Sequence, residues 1–202
     1  MRTNIQARLA LLLAIAAVST APAAHAQGKP PADSPRIEVA LDYSYLHSNA
    51  PPGGCGCFSM NGGNAAVAVP LKSSAFALAG DLTAAHGSKI SNAGFDLTLT
   101  AYTVGLRYKP SLGHSAWGPF GQALVGGAHA GGSLTKAQSS SGSSGANAFA
   151  ANIGGGLDYR VNRLFSIRLV EADSLLTTFN NQSNNRQNNA RISAGAVIRF
   201  GK

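Results

Sequence analysis

The residues with the clearest potential for chemistry are His47 and Ser48, a general base beside a hydroxyl nucleophile. Acyl transfer requires the two side chains to lie within hydrogen-bonding distance of each other. On a strand only residues i and i+2 share a face, so adjacent side chains point in opposite directions. Asp81 and His86 in one segment and His129 in another have no spacing that brings them together. The sequence therefore predicts no catalytic residues.

The two cysteines, Cys55 and Cys57, are the second candidate for chemistry. A disulfide that closes a ring across one glycine would be strained and easily reduced. A structural metal site needs four ligands, and no histidine or second cysteine pair stands at a suitable spacing. A local disulfide and two free thiols both stay open, and we expect no metal and no cofactor.

The largest group of candidate residues is charged and lies in segments where apolar and polar residues alternate. In the last such segment, Arg191 and Arg199 alternate with Ile192 and Ile198. Alternation with a period of two indicates strands whose two faces differ. We expect the charged residues of these segments to form one polar network: Glu38, Asp42, Asp81, Arg107, Asp158, Arg160, Arg168, Glu171, Asp173, Arg191 and Arg199.

Eight alternating segments succeed one another, and they are the elements that would position this network. They are 36–47, 64–70, 75–86, 96–108, 118–130, 149–161, 164–175 and 190–200. The links between them are short at 72–73, 109–116 and 162–163 and long at 48–63, 87–94, 131–148 and 177–189. A meander with short turns at one end and long polar loops at the other is typical of a membrane barrel. The serine and asparagine runs of the long loops should bury nothing and be mobile.

One of the eight strands should carry an irregularity. Arg168 has an even residue number, whereas Glu171 and Asp173 have odd ones. In a regular strand Arg168 would therefore point to the opposite face, although all three residues are charged. A β-bulge adds one residue to a strand and so inverts the faces beyond it. We therefore expect a bulge or a change of register in 164–175.

Alternation also occurs in soluble two-sheet proteins, which bury one face of each strand. A buried face of that kind would not carry Arg107, Asp158 and Arg160 opposite wholly apolar neighbours. In a membrane barrel the apolar face meets lipid, the charges pair in the interior, and closure satisfies the backbone hydrogen bonds. We therefore predict an all-β fold, an eight-stranded antiparallel transmembrane β-barrel with an up-and-down meander.

The lumen of an eight-stranded barrel is wide enough only for side chains, so the charged network should act as a plug. In that case Arg107 would neutralise buried acids. Its replacement by a neutral residue should leave those acids unpaired and destabilise the barrel by about 3 kcal/mol.

The N-terminal segment has the layout of a secretory signal. Arg2 and Arg8 precede an apolar, uncharged run at 9–18, and Ala24-His25-Ala26 then places small residues where a signal peptidase reads them. The apolar run is about half of the roughly 20 residues that a spanning helix needs. We assign 1–26 to a signal peptide, 27–35 to a flexible periplasmic leader and 36–202 to the barrel.

The charge of the remaining chain argues against nucleic acid as a partner. Without 1–26 the chain has 14 basic residues (16 − 2) and 8 acidic residues, a net charge of +6. The basic residues are scattered singly and form no cluster or stripe, so we expect no nucleic-acid binding. Glutamate occurs only at Glu38 and Glu171, which disfavours an all-helical domain.

The final strand, Arg191-Ile192-Ser193-Ala194-Gly195-Ala196-Val197-Ile198-Arg199-Phe200, is amphipathic and ends in an aromatic residue. Together with the layout of 36–200, it resembles the outer-membrane β-barrel domain of the OmpA-like and opacity-protein families. The resemblance implies that Phe200 belongs to the signal read by the outer-membrane insertion machinery, although Gly201 and Lys202 follow it here. Because the chain stops after the barrel, we expect a stand-alone barrel without the peptidoglycan-binding domain of many OmpA-like proteins.

These patterns predict a non-enzymatic integral outer-membrane protein with a role in envelope integrity or in surface contact through its extracellular loops. Its partners would be outer-membrane lipids, the insertion machinery and external ligands of the loops, and both termini would be periplasmic. The alternative is a small, narrow, porin-like channel whose ion pathway the charged pairs would gate. A third function is an outer-membrane lipid-modifying enzyme, because His47-Ser48-Asn49-Ala50 resembles the His-x-Ser-Asn stretch of lipid A deacylases.

Overall fold

The computed structural model describes residues 36–48, 57–71, 75–90, 92–112, 115–139, 142–180 and 185–201. The predicted signal peptide at 1–26, the predicted leader at 27–35 and Cys55 lie outside these residues.

Within the described residues, eight strands follow one another along the chain. They are β1 (Ile37–Ser48), β2 (Phe58–Pro70), β3 (Phe76–Ile90), β4 (Phe95–Tyr108), β5 (Trp117–Gly131), β6 (Gly145–Arg160), β7 (Phe165–Thr177) and β8 (Gln187–Phe200). Each strand pairs antiparallel with its neighbours in sequence, and β1 pairs with β8, so the sheet is a closed barrel. This confirms the predicted antiparallel meander. We call the end with the β2–β3, β4–β5 and β6–β7 connections the turn end, and the opposite end the loop end.

Apolar side chains cover the outside of the barrel, and polar ones fill much of the inside. Leu41 and Ile153 are 62% and 66% exposed, whereas Asp42 and Asn152, their neighbours in sequence, are 7% and 1% exposed. A soluble protein buries its apolar side chains, so this distribution is inverted. Because the sheet is closed, each of the eight described strands pairs with a neighbour along both edges.

Aromatic residues gather on the outer surface near the turn end. The ring centroids of Phe76 and Tyr108 lie 5.1 Å apart, and those of Trp117 and Tyr159 also lie 5.1 Å apart. Tyr45 lies on the same surface toward the loop end of β1. Aromatic girdles above and below an apolar band are typical of outer-membrane barrels.

The strands reach further toward the loop end than the alternation predicts. Strand β2 begins at Phe58 rather than at residue 64, and β3 continues to Ile90. Since β4 begins at Phe95, the predicted connection at 87–94 is reduced to 91–94. In the added part of β2 the apolar Met60 points inward and the polar Asn61 outward, which is the reverse of the alternation in 64–70, so that alternation does not continue into it.

The connection between β5 and β6 contains a short helix, α1 (Ser133–Gln138). The prediction that the serine and asparagine runs bury nothing is wrong at Asn189, which is 3% exposed; Leu134, which lies before the serine run, is 5% exposed. One apolar side chain is enough to dock a loop that is otherwise rich in serine and glycine. No helix in the described part of the chain is long and apolar enough to cross a membrane.

Strand β7 contains the predicted irregularity. Its register against β8 shifts between Arg168 and Glu171, which confirms the expected bulge. Leu169 and Val170 both lie on the outside, 46% and 41% exposed. Two outward residues in succession invert the alternation, so Arg168 and Glu171 both point into the barrel.

Candidate functional site

Arg191 on β8 is the first centre of the polar network inside the barrel. Its Nη1 lies 2.9 Å from Asp81 Oδ1, and its Nη2 lies 2.9 Å from Glu171 Oε1. Its Nε donates to Asp173 Oδ2 at 3.0 Å, and Nη1 also donates to Thr83. Three carboxylates from β3 and β7 therefore hold one guanidinium that is 1% exposed. Hydrogen bonds between charged groups are about twice as strong as neutral ones.

Arg168 on β7 is the second centre. Its Nε lies 3.0 Å from Asp158 Oδ1, and its Nη1 lies 3.1 Å from Asp42 Oδ2 and 2.5 Å from Glu171 Oε2. Because Glu171 also accepts a hydrogen bond from Arg191, this carboxylate joins the two centres.

Arg107 on β4 has a different environment. Its Nε and Nη2 donate to Gln122 Oε1 at 3.0 Å and 2.7 Å, and its guanidinium carbon lies 4.5 Å from the ring centroid of Phe120. Arg168 lies over the same ring at 4.6 Å. Among the described residues, no carboxylate lies within ion-pair distance of Arg107, so the expectation that it pairs directly with acids is wrong. The amide of Gln122 stands between them, because its Nε2 donates to Glu171 Oε1 at 3.1 Å.

A third group of charges closes the network at the turn end. Lys109 Nζ lies 2.9 Å from Glu38 Oε1 and 3.0 Å from Asp158 Oδ2. Arg199 Nε lies 2.9 Å from the same Glu38 oxygen. Because Asp158 also binds Arg168, this group is continuous with the two centres above it.

The structure brings ten of the eleven predicted residues into one connected set: Glu38, Asp42, Asp81, Arg107, Asp158, Arg168, Glu171, Asp173, Arg191 and Arg199. Arg160, the eleventh, lies at the rim of the turn end. There its Nη2 donates to the carbonyl oxygen of Ser115 at 2.6 Å.

Sequence reasoning missed several members of the network. Lys109 falls in a predicted turn, although it continues the alternation of Arg107 by one more step. Asn64 Nδ2 donates to Asp81 Oδ2 at 2.6 Å, and Thr83 Oγ1 donates to Asp81 Oδ1 at 3.0 Å. Thr83 lies two residues after Asp81 and therefore on the same inward face of the strand. A search of every residue on the inward faces could have identified these neutral residues.

The charges of the network nearly cancel. Its five basic residues are Arg107, Lys109, Arg168, Arg191 and Arg199, and its six acidic residues are Glu38, Asp42, Asp81, Asp158, Glu171 and Asp173, which gives 5 − 6 = −1. Buried charges are stable where opposite charges and hydrogen bonds compensate them. The chain has eight acidic residues, and of the two others Asp96 is not part of the network and Asp33 lies outside the described residues.

Toward the loop end the polar network gives way to an apolar layer. The layer consists of nine buried side chains from β1 to β7: Leu46, Met60, Ala85, Leu99, Ala101, Ala128, Ala130, Ala150 and Leu175. The polar network and the apolar layer therefore fill the interior one after the other along the barrel axis.

The candidate catalytic residues do not converge. Ser48 is 2% exposed and points inward, whereas His47 points outward, with its Nδ1 3.3 Å from Ser59 Oγ. His86 and His129 make their hydrogen bonds on the outer surface as well. No group of histidine, cysteine, aspartate and glutamate side chains among the described residues could hold a metal ion.

Two other predicted site residues lie near the ends of strands. Cys57 is exposed just before β2, and its bond to Cys55 stays a prediction because Cys55 lies outside the described residues. Phe200 ends β8 at the turn end, 52% exposed on the outer surface and in register with Ile37. Its part in membrane insertion also stays a prediction.

The fold has known relatives. A family model described as an outer membrane protein beta-barrel domain matches residues 10–200. Neisserial surface protein A is similar in structure, with a TM-score of 0.60 and 16% identity over 81% of this chain and 97% of its own. The attachment invasion locus protein Ail of Yersinia pestis has a TM-score of 0.57 and 14% identity over 83% of this chain and 100% of its own.

A second structure of Ail, in complex with the heparin analogue sucrose octasulfate, has a TM-score of 0.51 and 16% identity over 81% of this chain and 99% of its own. At these identities the likeness shows the fold. No curated protein sequence matches this chain.

Proposed function

This chain belongs to the outer membrane protein beta-barrel domain family and lies in the bacterial outer membrane, and on that premise we propose that it is a non-enzymatic barrel with a sealed lumen. It contributes to the integrity of the envelope and makes contacts at the cell surface through its loop end. The observation that carries the proposal is the continuous set of buried ion pairs that crosses the lumen.

The burial of these ion pairs supports a closed lumen. Arg168 is 0% exposed and Arg191 is 1% exposed, and each contacts three carboxylates. Moving either guanidinium aside would leave buried charges unpaired, which costs about 3–5 kcal/mol. The apolar layer around Met60 and Leu99 adds a second barrier, because ions do not cross a dry apolar constriction.

A narrow ion channel is the second candidate function. It is favoured by two atoms inside the network, Asp42 Oδ1 and Arg168 Nη2, which have no hydrogen-bond partner among the described residues. Buried polar atoms of this kind are sites for water molecules, and a file of water would offer ions a path.

Conductance across a planar lipid bilayer tests the closed lumen. We expect no current steps from the purified protein. The double variant Arg168→Ala/Arg191→Ala should give current steps. The sample of this variant is first shown to contain folded barrel by its heat-shifted migration on a gel. Arg163→Ala, whose side chain is exposed at the turn end, is the control and should stay silent. Regular steps from the unaltered protein would overturn the closed lumen and establish the channel.

The distribution of charge suggests what the loop end contacts. Since six of the eight acids lie in the network, the loop end is basic, with Lys89, Lys136 and Arg186 exposed there. Of the two other acids, Asp96 lies toward this end and accepts a hydrogen bond from Ser133 Oγ. In outer-membrane barrels the longer loops are extracellular. The proposed surface partner is therefore an anionic glycan, the class of ligand that the heparin analogue bound to Ail represents.

Binding of heparin to the protein in lipid nanodiscs tests this contact. We expect salt-sensitive binding that the triple variant Lys89→Gln/Lys136→Gln/Arg186→Gln weakens at least about tenfold. The control variant Arg36→Gln/Arg163→Gln removes two charges at the turn end and should bind like the unaltered protein. An equal loss of affinity per charge removed in the two variants would mean that net charge alone is responsible, and the proposed contact would be wrong.

A further inference from the structure

A cavity of about 260 Å³ lies inside the loop end of the barrel, between the apolar layer and helix α1. Six large apolar side chains line it: Phe58, Met60, Leu97, Leu99, Leu134 and Phe179. Among the residues that the structure describes, no charged side chain contributes to the lining. Ligand sites in proteins are typically apolar concavities of this kind with a few polar groups that orient the ligand.

One polar atom in the wall of this cavity is left without a partner. Ser48 is 2% exposed, and its Oγ has no hydrogen-bond partner among the described residues. The neighbouring amides are engaged: Gln187 accepts from the backbone N of Phe179 at 2.9 Å, and Asn189 Nδ2 donates to the carbonyl oxygen of Leu175 at 2.9 Å. A buried hydroxyl without a hydrogen bond is unfavourable, so Ser48 is the group that a ligand would satisfy.

We propose that this cavity binds a small, uncharged, mainly apolar molecule with one hydrogen-bonding group directed at Ser48 Oγ. A charged ligand would be desolvated without an opposite charge to receive it. A cavity of about 150 Å³ binds benzene, and a water molecule takes about 30 Å³ in the liquid, so 260 Å³ suits a ligand of about nine heavy atoms. This is the size of a medium-chain alcohol or a substituted phenol. The site is independent of the proposed glycan contact.

Helix α1 forms one side of the site. Leu134 and Thr135 line the cavity, and Ser133 is tied to β4, where Asp96 N donates to Ser133 Oγ at 2.9 Å. A ligand that contacts Leu134 binds only the docked arrangement of the helix, so occupancy stabilises that arrangement.

Met60 supplies a direct reporter of the cavity. It is the one methionine of the chain besides Met1, and it is 1% exposed in the cavity floor. With a ¹³C-labelled methionine methyl group and the full barrel in nanodiscs, titration with 1-octanol should shift the Met60 resonance and saturate. Octanoate, of similar size but charged, should leave it unchanged.

Three variants decide the outcome. Ser48→Ala should weaken octanol binding by about tenfold through loss of one hydrogen bond, and Ala146→Phe, which fills the cavity from β6, should abolish it. Ser166→Ala is the matched control, because its hydroxyl is also buried and without a partner in the described structure but does not line the cavity. A shift that does not saturate, persists in Ala146→Phe, or appears equally with octanoate would overturn the proposal, as would an unchanged affinity in Ser48→Ala.

Discussion

Arg168 and Glu171 stand three residues apart on β7, yet both side chains point into the barrel, and Arg168 Nη1 lies 2.5 Å from Glu171 Oε2. In a regular strand residues three apart face opposite sides. The outward pair Leu169 and Val170 takes up the extra residue, as it does in a β-bulge. The bulge thus allows one strand to supply a cation and an anion to the same point of the lumen.

Replacing Arg168 by methionine should destabilise the barrel strongly. Asp42, Asp158 and Glu171 would each lose their contact with this guanidinium in a buried site. We expect a loss of about 4 kcal/mol in the free energy of unfolding, measured by urea unfolding of the protein in lipid vesicles. The control Arg163→Met, at an exposed position, should unfold at nearly the same urea concentration as the unaltered protein. An unchanged midpoint for Arg168→Met would contradict the central role of this residue.

Replacing Arg107 by methionine should have a smaller effect. Its hydrogen bonds go to the amide of Gln122, and no described carboxylate would lose an ion pair. We expect a loss of about 2 kcal/mol, since the methionine can still pack on Phe120. The same urea titration measures it beside Arg168→Met. A loss as large as that of Arg168→Met would show that Arg107 neutralises the acids at longer range.

Gly154 should be intolerant of a side chain. A Cβ at this position would overlap the carboxylate of Asp173 and the backbone oxygen of Ala172. Asp173 would be displaced from Arg191, and we expect Gly154→Ala to cost about 2 kcal/mol in unfolding free energy. Gly63→Ala is the matched control, because the nearest atom to its Cβ would lie 3.7 Å away.

The unfolding midpoints of the two alanine variants in vesicles give the comparison. The predicted order is a clear decrease for Gly154→Ala and little change for Gly63→Ala. Equal midpoints would mean that the β6–β7 pair opens to accept the methyl group without disturbing the ion pairs.

Ser133 should control the docking of helix α1. Its hydroxyl donates to Asp96 and accepts from the backbone N of the same residue. Ser133→Ala should therefore raise the rate of amide hydrogen exchange within Ser133–Gln138 while leaving the strands protected. Lys136→Ala, an exposed change on the same helix, is the control. If both variants exchange at the rate of the unaltered protein, the packing of Leu134 holds the helix without the hydrogen bonds.

Much of the fold follows from parity along the chain. The direction in which a strand residue points depends on whether its position is odd or even, so Arg191 and Ile192 reveal their faces in the sequence. The same rule exposes the bulge, because Arg168 breaks the parity of Glu171. The extension of β2 back to Phe58 was not predicted, since there the apolar side chain of Met60 points inward, the reverse of the alternation in 64–70.

The partners of the inward residues were decided by tertiary structure. Arg191 binds Asp81, 110 residues away on a strand that is not its neighbour, and Arg107 binds Gln122 rather than an acid. Alternation tells which way a side chain points but not its height in the barrel, which depends on strand tilt and stagger after closure. The cavity beside Ser48 arises in the same way, because seven strands and helix α1 must close before its walls exist. The sequence by itself determined the strands, their faces and the identity of most buried charges; closure of the barrel decided which of those charges meet.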